Sequence, residues 1–272
     1  MLYLVATPIG NLKDITFRAI ETLKECDIIA CEDTRHTIKL LNHYQIKKQL
    51  ISYHEHNKME RGAELVELAK QGKNIALVTD AGCPAISDPG EDLVRLFYEN
   101  ELEVSVIPGP SAFISALMIS GMPTTHFVFM GFLSQITKKR KAELDTLRDE
   151  KRTMIFYEAP HKLMKTLVTF EKLFGCDREI ALVKEITKIY ENVRRGTIEE
   201  ILDDYKEKTP KGEFVVIVKG NEKENAAINI ENTIEERYQQ LLSENYDRKE
   251  AMRIIAMERN LSRKDIYSKL NK

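Results

Sequence analysis

The fold of this chain is constrained most strongly by short, wholly apolar runs that recur along its first half and pass into loops or helical patterns. Runs that are apolar on both faces are typical of parallel strands covered by helices on both sides. We therefore predict an N-terminal α/β domain with a mainly parallel sheet over residues 1–115. Its predicted strands are Leu2–Ala6, Ile28–Cys31, Leu50–Tyr53, Ile75–Thr79 and Val104–Ile107, and its predicted helices are Thr16–Glu25, Met59–Gln71 and Glu91–Asn100.

The pattern changes after Gly121-Met122-Pro123, where strands and helices alternate around short, hairpin-like breaks. We predict a second α/β domain with a mixed sheet over residues 116–222. A helical tail over residues 230–272 follows, and its apolar faces and a capping-box-like sequence at Ser262–Asp265 predict three short helices. The strands predicted for the second domain are Phe127–Gly131, Met154–Tyr157, Ile180–Lys184 and Phe214–Lys219, and its helices are Lys139–Glu150, Lys162–Phe174 and Ile198–Tyr205.

Composition narrows the class of protein. The 272 residues suffice for about two domains, and the apolar runs are shorter than the ~18 residues that a membrane span needs. The four cysteines show no Cys-x-x-Cys spacing, so neither a disulfide framework nor a bound metal is expected. Because the N-terminus lacks a basic start and an apolar leader, we expect a cytoplasmic protein. The net charge of −2 means that any nucleic acid must be held by local basic patches.

Several common catalytic motifs are missing from the sequence. No GxGxxG follows the first strand, and neither a GxxxxGK[ST] loop nor a GxSxG elbow occurs. Dinucleotide-binding Rossmann, P-loop NTPase and serine hydrolase chemistry are therefore disfavoured. His54-Glu55-His56 does not have the HExxH spacing. At a strand end its two histidines would share a face, so a metal site is geometrically possible there, but a polar loop is the favoured interpretation.

Three loops rich in glycine and proline remain, each directly after a predicted strand: Thr7–Leu12, Asp80–Gly90 and Pro108–Ala112. In open α/β sheets ligands bind outside the carboxyl ends of the strands, where glycine lets the backbone approach closely. For any one of these loops alone, an ordinary tight turn is the favoured interpretation. Three of them at one edge predict a ligand site, and Asp80–Gly90 is the most informative, because it crowds three short polar side chains among two prolines and two glycines.

Six motifs follow one another along the chain: Val5–Leu12, Cys31–Arg35, Asp80–Gly90, Ile107–Ala112, Gly131–Leu133 and Phe156–His161. In this order they resemble the bacterial 16S ribosomal RNA (cytidine-2′-O)-methyltransferases, which belong to the tetrapyrrole-methylase-like class. The resemblance covers essentially the whole chain. In Asp80–Gly90 it extends almost residue for residue.

The resemblance implies a class III methyltransferase fold: two αβα domains with S-adenosylmethionine in the cleft between them, usually as a homodimer. Relatives that methylate tetrapyrroles or diphthine intermediates have Gly-Asp-Pro where this chain has Gly82-Cys83-Pro84. Since that carboxylate is missing, we expect backbone groups of the loop to hold the methionine part of the cofactor. The pocket residues that the resemblance implies are Ile9, Gly82, Cys83, Pro84, Ile86, Ser111, Ala112, Tyr157, Ala181 and Phe214.

Methyl transfer to a ribose 2′-hydroxyl is helped by a group that accepts the proton or stabilises the alkoxide. Polar residues at strand ends that face the cleft are the candidates, and we predict that Lys184, Glu185 and Asp33 are catalytic. Lys184 and Glu185 follow an apolar strand and have no evident capping role. Asp33 precedes a helix, so an N-cap is the alternative for this residue.

The expected partner is 16S ribosomal RNA or the small ribosomal subunit. The tail is a candidate RNA-binding module, because Arg248–Lys272 carries eight basic and three acidic residues; a tail that stabilises a dimer is the alternative. Two other functions stay open: a precorrin-type tetrapyrrole methyltransferase, and an RNA-binding relative without catalysis. The candidate RNA-binding residues are Arg35, Lys138, Lys139 and Arg140, and Arg263 and Lys264 in the tail. Lys138, Lys139 and Arg140 lie at the start of a predicted helix, and a basic helix face that contacts only solvent is the alternative for these three.

Overall fold

The computed structural model describes residues 1–221, 233–244, 246–259 and 261–270, without the side chains of residues 257, 263 and 264. The chain divides into two compact units, Met1–Gly220 and Asn221–Lys272. The first unit holds two five-stranded sheets and the second holds helices. The α/β architecture with a helical tail is therefore confirmed, while the boundary drawn between residues 115 and 116 stays a prediction.

The first sheet is fully parallel, with the strand order β3-β2-β4-β1-β5. This confirms the prediction made from the wholly apolar runs, whose limits were correct to within about one residue. The strands are β1 (Leu2–Val5), β2 (Ile28–Cys31), β3 (Gln49–Ser52), β4 (Ile75–Val78) and β5 (Val104–Ile107).

Helices cover both faces of this sheet. On one face Leu23 of the first helix and Leu41 of the second pack with Ile29, and on the other Leu65 and Phe97 pack with the facing side chains of the same strands. A short 3₁₀ helix, Leu12–Asp14, follows the first loop. The helices are α1 (Phe17–Glu25), α2 (Thr34–His43), α3 (Lys58–Lys70) and α4 (Gly90–Glu99).

The second sheet is mixed, as predicted, with the order β6-β7-β10-β8-β9. Only β6 and β7 run parallel, and the other neighbours are antiparallel. One face packs against α5 and the other against α7 and α8. The elements are α5 (Ala112–Ser120), β6 (Phe127–Phe132), α6 (Thr137–Asp145), β7 (Thr153–Glu158), α7 (Pro160–Phe174), β8 (Glu179–Lys184), β9 (Asn192–Thr197), α8 (Ile198–Asp204) and β10 (Phe214–Val218).

The second unit contains the three short helices that the tail predicts: α9 (Ile234–Ser243), α10 (Arg248–Glu258) and α11 (Arg263–Leu270). Leu241, Ile255 and Ile266 form its own small core. A capping box at Thr233 begins α9. Within the described residues, none of the helices is long and apolar enough to cross a membrane.

Candidate functional site

A single row of side chains crosses the second sheet and forms the floor of a pocket. Phe132 pairs with Tyr157, Tyr157 with Val215, and Val215 with Val183, so the four residues stand in register on four adjacent strands. All four line a cavity of about 490 Å³. Pockets of about 300–1,000 Å³ with apolar walls are typical of small-molecule and cofactor sites. The floor therefore offers a flat apolar surface to a ligand.

A β-bulge in β6 brings Phe132 into this row. The pairing shifts between Phe129 and Gly131, so Met130 is an extra residue. Side chains alternate between the two faces of a strand, and one extra residue moves all later side chains to the other face. Phe132 therefore shares the face of Phe129. Gly131 is needed at the bulge, because its φ is +59° and a Cβ there would lie 2.9 Å from the Ser87 hydroxyl oxygen.

The opposite wall of the pocket is built from the three glycine- and proline-rich loops, which are joined to one another. The Thr7 amide donates to the Gly82 carbonyl at 2.9 Å, and the Gly82 amide donates back at 3.0 Å. The Cys83 thiol donates to the Pro110 carbonyl at 3.4 Å. Gly82 has a φ of +85°, and a Cβ there would lie 3.3 Å from Ile9. The three loops therefore form one backbone surface at the carboxyl ends of β1, β4 and β5.

Asp88 holds the Asp80–Gly90 loop in shape. Its carboxylate accepts the amides of Ala85 at 3.0 Å, Ile86 at 3.3 Å and Gly90 at 2.7 Å. Ala85 and Ser87 have φ values of +65° and +66°, a left-handed conformation that is unfavourable for residues with a Cβ. The three hydrogen bonds stabilise this strained backbone, so the shape of the loop depends on Asp88.

The residues present fit S-adenosylmethionine. The apolar floor suits a flat adenine ring, and the glycine-containing wall lets backbone groups approach a ligand closely. The helix α5 begins at the pocket, where Ser111 and Ala112 line it. First-turn amides of a helix have no partner within the helix and attract negative charge. This helix end could therefore hold the carboxylate of the methionine part.

Most residues of the implied cofactor set line this pocket. Two do not: Pro84 is buried within its loop, and Ala181 is fully buried two residues before Val183 on the same strand. Several lining residues were not expected from the sequence: Phe132, Val183 and Val215 belong to the floor, Glu158 ends β7, and His161 lies in the first turn of α7. The implied residues that do line the pocket are Ile9, Gly82, Cys83, Ile86, Ser111, Ala112, Tyr157 and Phe214.

The Asp33 carboxylate caps a helix and pairs with a cation. It accepts the Arg35 amide at 2.8 Å at the start of α2, and it binds the Arg35 guanidinium through both oxygens. These contacts with Arg35 lower the pKa of Asp33 to about 2. A carboxylate of such low pKa is a weak proton acceptor at neutral pH. Its catalytic role stays a prediction, and the capping alternative is the one with visible contacts.

Glu185 and Lys184 stand at the turn between β8 and β9. The Glu185 carboxylate accepts the Glu213 amide at 2.8 Å and the Lys188 ammonium at 3.0 Å. The hydrogen bond from the Glu213 amide and the Lys188 contact lower the pKa of Glu185. Lys184 directly follows Val183, so strand alternation directs it to the face opposite the pocket floor. The catalytic roles of both residues stay predictions.

Among the pocket residues Tyr157 and Cys83 are in protonated form at neutral pH. Burial raises the pKa of the Tyr157 phenol and that of the Cys83 thiol. Both residues lie on the pocket wall. They therefore offer neutral polar groups to a ligand and no negative charge.

Glu158 is a buried carboxylate at the pocket wall, only 6% exposed. It accepts the Ala159 amide at 2.9 Å and the Thr166 hydroxyl. The Arg140 guanidinium in turn donates to the Thr166 hydroxyl oxygen at 2.6 Å. This chain of contacts, which we call the Glu158 network, joins α6 to the start of α7. Sequence analysis assigned Arg140 to RNA binding, a role that stays a prediction beside this contact.

The other predicted RNA-binding residues are spread over the chain. Lys138 and Lys139 are exposed on α6. Arg35 is 88% exposed while paired with Asp33. Arg263 and Lys264 belong to α11, but their side chains lie outside the described residues.

Among the described residues no three histidine, cysteine or acidic side chains are grouped as metal ligands would be. The rings of His54 and His56 have centroids 5.9 Å apart. The four cysteines are free thiols.

Comparisons with known proteins agree with this geometry. Residues 1–202 match the family model described as tetrapyrrole (corrin/porphyrin) methylases. The chain is 46% identical over 267 residues to the ribosomal RNA small subunit methyltransferase I of Synechocystis, covering 98% of this chain and 96% of the relative. It is 45% identical over 273 residues to the Bacillus subtilis protein of that name, covering 98% and 92%. Among solved structures, the uroporphyrin-III-C-methyltransferase of Thermus thermophilus superposes with a TM-score of 0.57 at 20% identity, covering 79% of this chain and 93% of that one. The chain belongs to the tetrapyrrole (corrin/porphyrin) methylase family.

Proposed function

We propose that this protein transfers a methyl group from S-adenosylmethionine to a ribose 2′-hydroxyl, that of a cytidine, in small-subunit ribosomal RNA. The observation that carries the proposal is the identity of almost half the residues, over nearly the full chain, with relatives named small-subunit ribosomal RNA methyltransferases. The apolar floor and the backbone wall of the pocket support the choice of cofactor.

When bound, S-adenosylmethionine supplies an electrophilic methyl group on a sulfonium. The residues of this chain bind and orient the two reactants. Tyr157, Val215 and Val183 of the floor row, together with the joined loops, would hold the cofactor. Alignment of this kind supplies up to about 7–11 kcal/mol of the barrier in well-oriented reactions.

For the methyl-transfer step we keep Lys184, Glu185 and Asp33 as the proposed residues. Because the Glu185 carboxylate already binds the Glu213 amide and Lys188, we propose that Glu185 acts by positioning the turn after β8. The Glu185→Gln variant, which retains an acceptor for the Glu213 amide, is then expected to keep more activity than Glu185→Ala. Equal activity of both variants and of Lys184→Ala with the unmodified protein would rule out any role for the pair.

The activity itself is tested with S-adenosylmethionine labelled on the methyl group. We expect label to enter small-subunit ribosomal RNA at a cytidine, in a linkage that resists alkaline cleavage because the 2′-oxygen is blocked. Uroporphyrinogen and precorrin substrates serve as the comparison, and label on them instead would favour the tetrapyrrole function. Calorimetry that detects no binding of S-adenosylmethionine would favour an RNA-binding relative without catalysis.

We further propose that the protein is a cytoplasmic homodimer and that its helical tail binds the RNA backbone. The dimer is supported by the outer face of α5, where Ile114, Met118 and Ile119 are exposed apolar residues, Met118 to 75%. The tail is supported by exposed cations on α10, among them Arg248, Lys249 and Arg253.

One experiment separates RNA binding from dimer stabilisation as the role of the tail. Replacing Arg248, Lys249 and Arg253 by alanine is expected to reduce the slope of log affinity for RNA against log salt by about 2, at roughly 0.7 for each lost phosphate contact with a single strand. The mass measured by light scattering should stay that of a dimer. Arg18→Ala with Lys24→Ala on α1 is the control. An unchanged slope would exclude the tail from RNA binding, and a monomeric unmodified protein would exclude the dimer.

A further inference from the structure

Phe132 is a large apolar side chain at the rim of the cofactor pocket, and 63% of it is exposed. Its ring centroid lies 5.3 Å from that of Tyr157, with the planes tilted by 51°. Tyr157 packs edge-on against Phe129 at 5.1 Å, and Phe129 stacks on Phe113 at 4.2 Å. These four aromatic rings follow one another from the core to the rim of the pocket, so one side of the Phe132 ring contacts Tyr157 and the other side is open.

The open ring is held where it is by the bulge in β6. If Met130 paired regularly with Phe156, Phe132 would lie opposite Glu158 and strand alternation would turn its ring toward α7. Keeping the ring at the rim requires a left-handed Gly131 and exposes apolar surface to water. Regular strand pairing with a buried ring would make the free protein more stable than the left-handed Gly131 and the exposed ring do. The position of the ring therefore indicates that it binds a ligand.

A basic helix, α6, begins five residues beyond Phe132. Lys138, Lys139 and Lys141 are exposed on α6. The helix is fixed at two points: the Glu143 carboxylate accepts the Ser134 amide at 3.1 Å, and Arg140 contacts the Glu158 network. Proteins bind single-stranded nucleic acids with exposed aromatic rings that stack on bases and with cations that follow the phosphates. The chain offers both within ten residues, an exposed ring at Phe132 and exposed lysines on the anchored helix α6.

We propose that Phe132 stacks on a base of the RNA substrate at the target nucleotide while the exposed lysines of α6 bind the adjoining phosphates. The inference rests on the proposed function and names the surface that positions its substrate. Val183 and Val215 are 1% and 5% exposed and form the enclosed end of the floor, which suits the flat adenine ring, whereas Phe132 stands at the exposed end of the same row. The rim therefore faces the second reactant.

The experiment compares Phe132→Ala, Phe132→Leu and Phe132→Trp, with Phe17→Ala as control, since Phe17 is 87% exposed on α1. We measure kcat/KM for methyl transfer to small-subunit ribosomal RNA and the Kd for S-adenosylmethionine. We also measure the fluorescence of a short single-stranded RNA carrying 2-aminopurine, which is quenched when this base stacks on an aromatic ring.

Phe132→Ala is expected to lose about 5- to 100-fold in kcat/KM and to abolish the quenching. Phe132→Trp should retain both properties, Phe132→Leu neither, and all variants should keep the Kd for S-adenosylmethionine. Wild-type kcat/KM in Phe132→Ala, or full rescue by leucine, would overturn the inference. A matching loss of S-adenosylmethionine affinity would place the ring in the cofactor site and overturn it as well.

The proposed function and this inference fail separately. If the unmodified protein methylates no ribosomal RNA, the proposed function is wrong, and the quenching measurement still decides whether Phe132 stacks on a base. If methylation is observed but no variant changes it or the quenching, the function stands and the role of Phe132 is wrong. Replacing the three lysines by alanine should lower RNA affinity at low salt without affecting the quenching at saturation.

Discussion

The Asp88→Ala variant is expected to bind S-adenosylmethionine at least about tenfold more weakly than the unmodified protein, a loss of ~1.4 kcal/mol or more. Its carboxylate accepts three amides of the Asp80–Gly90 loop. Hydrogen bonds to charged groups contribute about 1.5–3 kcal/mol. Without them Ala85 and Ser87 can relax from their left-handed conformation, and the wall at Gly82 and Ile86 loses its shape. Calorimetry with S-adenosylmethionine measures the effect.

The matched control for this variant is Asp92→Ala. Asp92 lies four residues further on, in the first turn of α4, and its carboxylate pairs with Lys58 and Arg95 on the surface. Surface ion pairs contribute about 0–1 kcal/mol, and Asp92 does not touch the pocket. Its cofactor affinity should therefore equal that of the unmodified protein. If Asp88→Ala also retained full affinity, the loop would not depend on this carboxylate.

The Glu158→Ala variant is expected to lower the free energy of unfolding by about 3 kcal/mol. It leaves the Ala159 amide and the Thr166 hydroxyl without their acceptor in a buried place. Because Ala159 and Pro160 line the pocket, a displaced start of α7 should also weaken cofactor binding. Urea unfolding measures the first effect and calorimetry the second.

A double-mutant cycle tests whether Arg140 belongs to the Glu158 network. Arg140→Ala is expected to destabilise the protein by itself and to be non-additive with Glu158→Ala, by about 0.5–3 kcal/mol. Lys139→Ala, its exposed neighbour on α6, is the control and should leave stability unchanged. Strict additivity would separate Arg140 from the network and leave it available for the RNA role that its sequence context predicts.

The first sheet could be predicted from sequence because its strands are apolar on both faces and are separated by amphipathic helices. Two elements of the second sheet region could not. β9 has a single large apolar residue, Val193, and α5 is apolar all round, so neither has the periodicity that identifies a strand or a helix. Both elements take their structure from the strands and helices that they contact in the folded unit.

The site was predictable at the level of loops and less so at the level of side chains. The family resemblance implied Ala181, whereas Val183, two residues further along the same face of β8, is the residue that lines the pocket. A wholly apolar strand does not reveal where along its length a pocket lies. Glu185 contacts Glu213, and Arg140 contacts Thr166 of the Glu158 network, across more than 25 residues of sequence. From the sequence alone the charges of Glu185 and Arg140 therefore resemble ordinary surface charges. Asp33 differs from these residues, because helix capping depends on residues that are adjacent in sequence. Capping was therefore predicted as the alternative to a catalytic role for Asp33.

The pairing around the bulge at Met130 also makes chain length a determinant of specificity. Deleting Met130 would leave Gly131 opposite Phe156 and Phe132 opposite Tyr157, so the ring would keep its face. Inserting one residue between Gly131 and Phe132 would instead place Phe132 opposite Glu158, on the face where Leu133 now packs in the core. Such an insertion, unlike a substitution, would remove the rim aromatic while preserving every residue type around it. A single codon gained here would thus change the rim and leave the floor at Val183 and Val215 unchanged.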